Sequence, residues 1–399
     1  MGGLILLLAA AGAIAGVGLL RGWFDEDSVM GSTEGFVPEA GPRGEPAADA
    51  WPEYGFDPQR TRANPALRLR PPLREAWSHD AGSLVEFPPV IAGGRIFFGT
   101  NLRLAVALST DGERLWTRRL EGQVASSPAL SGRLVLFTTT RGNVYALDTR
   151  TSGVVWRVRL GSSIESSPLI VGDSAFVGTL DGRVLRLSLE DGSTVWTAQA
   201  TGDVKASLAL SGGNVIVGDY GGNVSAWSRA DGRLVWRTES PGRALRGSGR
   251  FYAGPAVAYG RVFIGNVNGR VLALSAEDGQ VAWVRVVDDL VYSSAAVHDR
   301  LVYVGSYDGR LRALDAVTGA VRWSFDAGER ISGSASVVGD VVWVSTLARV
   351  PSQGRTFALD AATGRLLQTV PDGRYSPAVA IEGLLVLTGV RTIYGYVTE

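Results

Sequence analysis

The sequence predicts an all-β protein, an eight-bladed β-propeller of four-stranded antiparallel blades. Three observations carry that expectation. Tryptophans recur at 77, 116, 156, 196, 236, 283 and 323, at spacings of 39, 40, 40, 40, 47 and 40 residues, and Leu367 takes the next place, 44 residues on. A period near 40 built from short strands marks a propeller array. Within each period the same four short strands alternate with turns. The two flanks of the array are also complementary. Residues 376–399 supply three strands, and "LREAWSHD" (73–80) supplies a fourth that carries the repeat's tryptophan. Joining them as one blade closes the ring and leaves no open seam.

In chain order, the first element is "GGLILLLAAAGAIAGVGLL", 19 residues without a charge. That is close to the length needed to cross ~30 Å of hydrocarbon. Two readings stay open for residues 1–21: a transmembrane anchor, or a signal peptide cleaved near Ala13-Ile14-Ala15. The length of the run and the lack of a Lys/Arg-rich start favour the anchor. Arg21 comes directly after the run, so the positive-inside rule does not fix orientation. A single N-terminal apolar segment nevertheless usually exports the domain attached to it. Residues 22–50, rich in Gly, Pro and acids, read as a flexible linker. Residues 51–399 are the propeller. The arginines of "NPALRLRPPLREAW" (64–77), Arg68, Arg70 and Arg74, alternate with apolar residues, as in an extended strap approaching the closing strand.

Blade two displays the repeat. "SSPAL" leads through "SGR" to "LVLFTTT", then through "RGN" to "VYALDT" and through "RTSG" to "VVWRVRL". The second strand is continuously apolar, as expected of a strand covered on both faces. The fourth alternates, with Trp156, Val158 and Leu160 on one side and Arg157 and Arg159 on the other. One indole per blade, at the same point of the outer strand, buries about 150–250 Å². Trp77, Trp116, Trp156, Trp196, Trp236, Trp283 and Trp323 are therefore read as blade-docking residues that bind no ligand.

"ALDTRTSGVVW" (146–156), "ALDAVTGAVRW" (313–323), "ALDAATGRLLQ" (358–368) and "VYVGSYDGRLRALDA" (302–316) resemble the PQQ-like β-propeller repeat, named after pyrroloquinoline quinone. "WPEYGFDPQRTRANP" (51–65) resembles the segment that often precedes such propellers. The resemblance covers about 51–399 and is specific for fold. Its family contains quinoprotein dehydrogenases, the scaffold lipoprotein BamB of outer-membrane barrel assembly, and sensor domains of bacterial kinases. This chain departs from the enzymes. It has no cysteine, hence no disulfide to hold a quinone and no haem motif. It likewise lacks the lipid-attachment cysteine of the scaffold. Asp181-Gly182 and Asp308-Gly309 read as hairpin turns rather than Ca²⁺ loops. No cofactor is expected, PQQ with Ca²⁺ being the less favoured alternative.

Composition narrows the function further. The chain balances 39 basic against 39 acidic residues, so non-specific nucleic-acid binding, which needs a basic surface, is not expected. Two isolated histidines, His79 and His298, make a metal site unexpected. No nucleophile triad or phosphate loop is present.

Aligning the innermost strands places Glu86, Ala125, Glu165, Lys205, Tyr252, Tyr292, Ser332 and Tyr375 at one mouth of the central channel. Two longer connections, Ser240–Gly254 with Arg243, Arg246 and Arg250, and Thr346–Thr356, fall on the same end. Extra loop length on a rigid scaffold often carries function. The expectation is a monomeric, non-catalytic, extracytoplasmic scaffold at the bacterial membrane, presenting one propeller face to an envelope protein. The alternative is a receptor for a small ligand or glycan at the channel mouth. A quinone-dependent dehydrogenase is the third reading.

Overall fold

The computed structural model describes residues 35–38, 48–241, 249–348, 354–373 and 376–399. The apolar segment 1–21 lies outside the described residues, and no described helix is long and apolar enough to cross a membrane.

Eight antiparallel sheets form the eight blades. Blades one to seven come in chain order over 90–119, 129–159, 169–199, 209–239, 256–286, 296–326 and 336–370. The eighth joins Val379–Ile381, Leu384–Thr388 and Thr392–Thr398 to the N-terminal strand Leu73–Asp80, which takes the outer position. The ring closes as the complementary flanks predicted.

The burial pattern of each strand matches its place. In blade two, Leu134–Thr138 and Asn143–Asp148 are covered on both faces, whereas the outer strand Val154–Arg159 alternates. Inner strands run away from the predicted mouth, so two kinds of connection share the mouth face: the second-to-third hairpins and the links between blades. The other face carries the first-to-second and third-to-fourth hairpins.

Each tryptophan leaves its own blade. Trp156 donates its indole N–H to the Leu189 carbonyl of blade three at 2.8 Å, and Trp323 donates to Ala361 of blade seven at 3.0 Å. The other five tryptophans make the same bond to the next blade. The receiving turn leaves no room for a side chain. A Cβ on Gly192 would lie 2.6 Å from the ring of Trp156, and its φ of +76° already disfavours other residues.

Blade seven corrects one expectation. The residue in tryptophan register is Gln368, which faces Ala358 as Trp323 faces Ala313, and not Leu367. The spacing count slipped by one because no indole marks the place. Gln368 uses its amide instead. Its Oε1 accepts from the Leu73 N–H at 2.9 Å, and its Nε2 donates to the Leu73 carbonyl at 2.7 Å. The bond between blades thus reaches the strand that closes the ring.

The strap reaches the closing strand as expected. Leu67, Leu69 and Leu73 are buried in the core around blade eight, while Arg70 turns outward to Asp340 and Asp360.

Candidate functional site

The channel is closed at one end by residues 48–64, whose role sequence reasoning did not identify. Inner strands around a channel leave one edge of backbone groups unpaired, and buried N–H groups need partners. The lead-in segment supplies them blade by blade. Ile91 donates to the Trp51 carbonyl, Leu130 to Pro52, Leu210 to Pro58, Val257 to Gln59, Val297 to Thr61 and Val337 to Arg62, at 2.7–2.8 Å. In blade three the acceptor is the Glu53 carboxylate, 3.4 Å from the Ile170 nitrogen. Ala48 accepts from Glu382 beside blade eight. Ala63–Asn64 then pairs in parallel with Ser336–Val338.

Two arginines sit inside this plug. Arg60 is fully buried and ion-paired with Glu53 at 2.9 Å. It also donates to the carbonyls of Leu208 and Pro168, both at 2.9 Å, and to that of Tyr54. Burial pushes the Glu53 carboxyl up to about 7, against the opposing charge of Arg60. Arg62 donates from Nη1 to the Arg60 and Ala295 carbonyls. Its Nε and Nη2 find no hydrogen-bond partner among the described residues.

Above the plug lies a cup of about 260 Å³. Glu86, Glu165, Lys205, Tyr252, Tyr292 and Ser332 line it together, so the inner-strand alignment placed these six correctly. Ala125 does not line it. Tyr375, Arg243 and Arg246 lie outside the described residues. Arg250 sits over the Tyr220 ring at 5.9 Å, and Leu347, from the second long connection, joins the lining.

Tyr54 forms the floor. Its hydroxyl lies 3.2 Å from Ser334 Oγ and 3.5 Å from Ser294 Oγ, and the Arg62 guanidinium sits 4.7 Å from its ring centre. Burial works to raise the phenol, but the Arg62 charge and the hydroxyl contacts hold it below the usual tyrosine range. Lys205 pairs with Glu165 at 2.7 Å and faces the rings of Tyr220 and Tyr252. Glu86 has no ion pair among the described residues. Burial raises its carboxyl, and the Glu165 charge adds to that. Tyr252, Tyr292 and Tyr307 form a chain of ring contacts, each 4.9 Å between centres.

Sequence reasoning missed Tyr54, Tyr220 and Tyr307. The latter two occupy the same step of the second-to-third hairpin, "DYGG" and "SYDG", so aligning hairpins as well as inner strands would have found them. Among the described residues, no group of three or more His, Asp or Glu side chains is placed to hold a metal ion.

A family model described as outer membrane protein assembly factor BamB matches residues 73–139, 103–248 and 221–383. No curated protein matches the chain. Among solved structures, BamB from Moraxella catarrhalis is 20% identical, with 82% of this chain and 99% of that chain covered and a TM-score of 0.67. A europium-containing methanol dehydrogenase is 13% identical, covering 88% of this chain and 99% of its own, at a TM-score of 0.75. The quinohemoprotein alcohol dehydrogenase from Comamonas testosteroni is 16% identical, covering 89% and 81%, at 0.75. At such identities these structures share the fold, and they include both an assembly factor and enzymes. With the family model matched from 73 to 383, the chain belongs to the family described as outer membrane protein assembly factor BamB.

Proposed function

We propose that this protein is a non-catalytic, extracytoplasmic scaffold that holds an envelope protein against the open face of its propeller. The family match over 73–383 is the observation that carries this reading. The geometry supports it. The plug seals one end, leaving the other face with the cup, the tyrosines and the described ends of the two long connections. In this reading residues 1–21 anchor the chain in the membrane and 22–50 link the anchor to the propeller. The described linker residues favour one orientation. Phe36 stacks on Tyr259 at 5.5 Å, Val37 donates to the Tyr259 carbonyl, and Ala48 meets Glu382. All three contacts are at hairpins of the plugged face, so a tether leading into them directs the open face away from the membrane.

Affinity purification of the tagged full chain from cross-linked native membranes tests the scaffold reading. The expected result is one stoichiometric envelope protein joined to open-face residues. Quinone-dependent turnover by the purified protein with added Ca²⁺, and no co-purifying partner, would replace it.

A second reading, a small-ligand or glycan receptor, draws on Glu86, which has no ion pair among the described residues, above the Tyr54 floor. It predicts saturable glycan or small-ligand binding that Tyr252→Ala or Tyr292→Ala abolishes while the melting temperature stays near wild type. Retained binding in both variants would reject it.

A further inference from the structure

A second concavity lies on the open-face side of blades one and two, away from the cup. Its volume is about 540 Å³, and Arg103, Arg118, Arg119, Arg141 and Arg157 line it with Glu121 as the only acid among the described lining residues. Glu121 is taken by Arg157 through two bonds of 2.6 and 2.5 Å. Arg118 donates to the Ser152 carbonyl at 2.8 Å. Arg103, Arg119 and Arg141 have no ion pair among the described residues. Gathering unpaired like charges is unfavourable for the fold, and in a chain of zero net charge it is not a by-product of overall basicity. Across the ring, the link between blades five and six carries Asp289 and Asp288, the latter paired with Arg312 at 3.4 Å.

Backbone strain supplies a second, independent observation. Arg103 has a φ of +67°. It closes the second-to-third hairpin of blade one, its N–H bonded to the Thr100 carbonyl. Blades two to six make the same bond from Gly142, Gly182, Gly222, Gly269 and Gly309, all at positive φ. A left-handed conformation is easy for glycine and unfavourable for arginine. Blade one therefore holds a cation where its neighbours hold the residue that the backbone prefers. Strain retained in this way points to function.

The surroundings indicate what binds. Leu102 and Val155 beside the cleft are 55% and 54% exposed. The outer strand Val154–Arg159 pairs only with Asn143–Asp148, so its other edge is open to an added strand. A concave site with cations, aliphatic side chains and a free strand edge fits an extended polypeptide better than a planar lipid surface.

We propose that the cleft between blades one and two docks an acidic, extended segment of the partner protein, its carboxylates on Arg103, Arg119 and Arg141. This rests on the scaffold reading and names the chemistry of its contact. The test uses the full chain in detergent and a fluorescent peptide of alternating Asp and Val, with an Asn-Val peptide as the neutral control. Binding of the acidic peptide alone, weakening at least about tenfold between roughly 50 and 300 mM salt, is expected. Arg103→Gly and Arg141→Ser should each weaken it at least about threefold, while Arg150→Ser, on the plugged face, leaves it unchanged. Arg103→Gly should also melt no lower than wild type, because it relieves the backbone, so its loss of binding cannot be a folding failure. Equal affinity in all variants would overturn the proposal. So would capture of anionic phospholipid vesicles without peptide binding, or binding of neither. A partner cross-linked to the open face and insensitive to Arg103→Gly would overturn the cleft while leaving the scaffold reading standing.

Discussion

At the scale of single residues, the fold turns on contacts that only one side chain can make. Gly192 is the clearest case. Replacing it with alanine combines a left-handed backbone with a clash against Trp156, and the expected cost is about 2–4 kcal/mol in urea unfolding. Gly213→Ala is the control, since nothing lies within 4 Å of its added carbon; its effect should be much smaller. Glu53 makes a different prediction. Its carboxyl is raised to about 7 in the fold, so the folded state holds a proton there that the unfolded chain releases near pH 4.5. Stability from this group is therefore present below the unfolded value and is lost as pH rises through about 7. His79 is lowered by burial and acts with the opposite sign, so the Glu53 contribution is read as the difference between wild type and Glu53→Gln from about pH 4.5 to about 7. The stability of wild type relative to Glu53→Gln should fall across that window. A difference that stays constant or rises across it would contradict the burial of an uncharged carboxyl. The tryptophans were legible in the sequence because each repeat shows one. Glu53, Arg60 and Arg62 were not, because charged residues in a Pro- and Gly-containing stretch look like a solvated loop. Their partners outside the plug, Pro168, Ile170, Leu208 and Ala295 at the inner strands of blades three, four and six, are distant in sequence.

At the scale of elements, two segments outside the repeat complete it. The lead-in 48–64 satisfies the inward edges of the inner strands, and the strap carries the chain from the plug to the closing strand. Gln368 joins blade seven to that strand through two backbone bonds to Leu73. Gln368→Ala leaves both Leu73 groups unmatched and should cost about 1–3 kcal/mol in chemical denaturation. No effect would mean that the seam does not depend on this side chain. Repeat strands were legible because period and turn residues agree at every level. The plug has no repeat to align with, and its geometry is set by the groups that the channel leaves unpaired rather than by its own pattern. The inner-strand alignment found six cup residues for the same reason that it missed Tyr54: the floor belongs to an element with a different register.

At the scale of the molecule, closure by strands from both flanks and a plug across one end make the two faces unequal. The plugged face holds the described part of the linker. The open face holds the cup and the basic cleft. The central claim is that partner engagement takes place on the open face. Photo-activatable side chains placed in living cells at Asp181 and Arg330 on the open rim, and at Gly132 and Arg150 on the plugged face, test it most directly. The expected result is one envelope protein cross-linked from the open-rim positions and none from the plugged face. Cross-links from the plugged face alone, or from neither face, would contradict it.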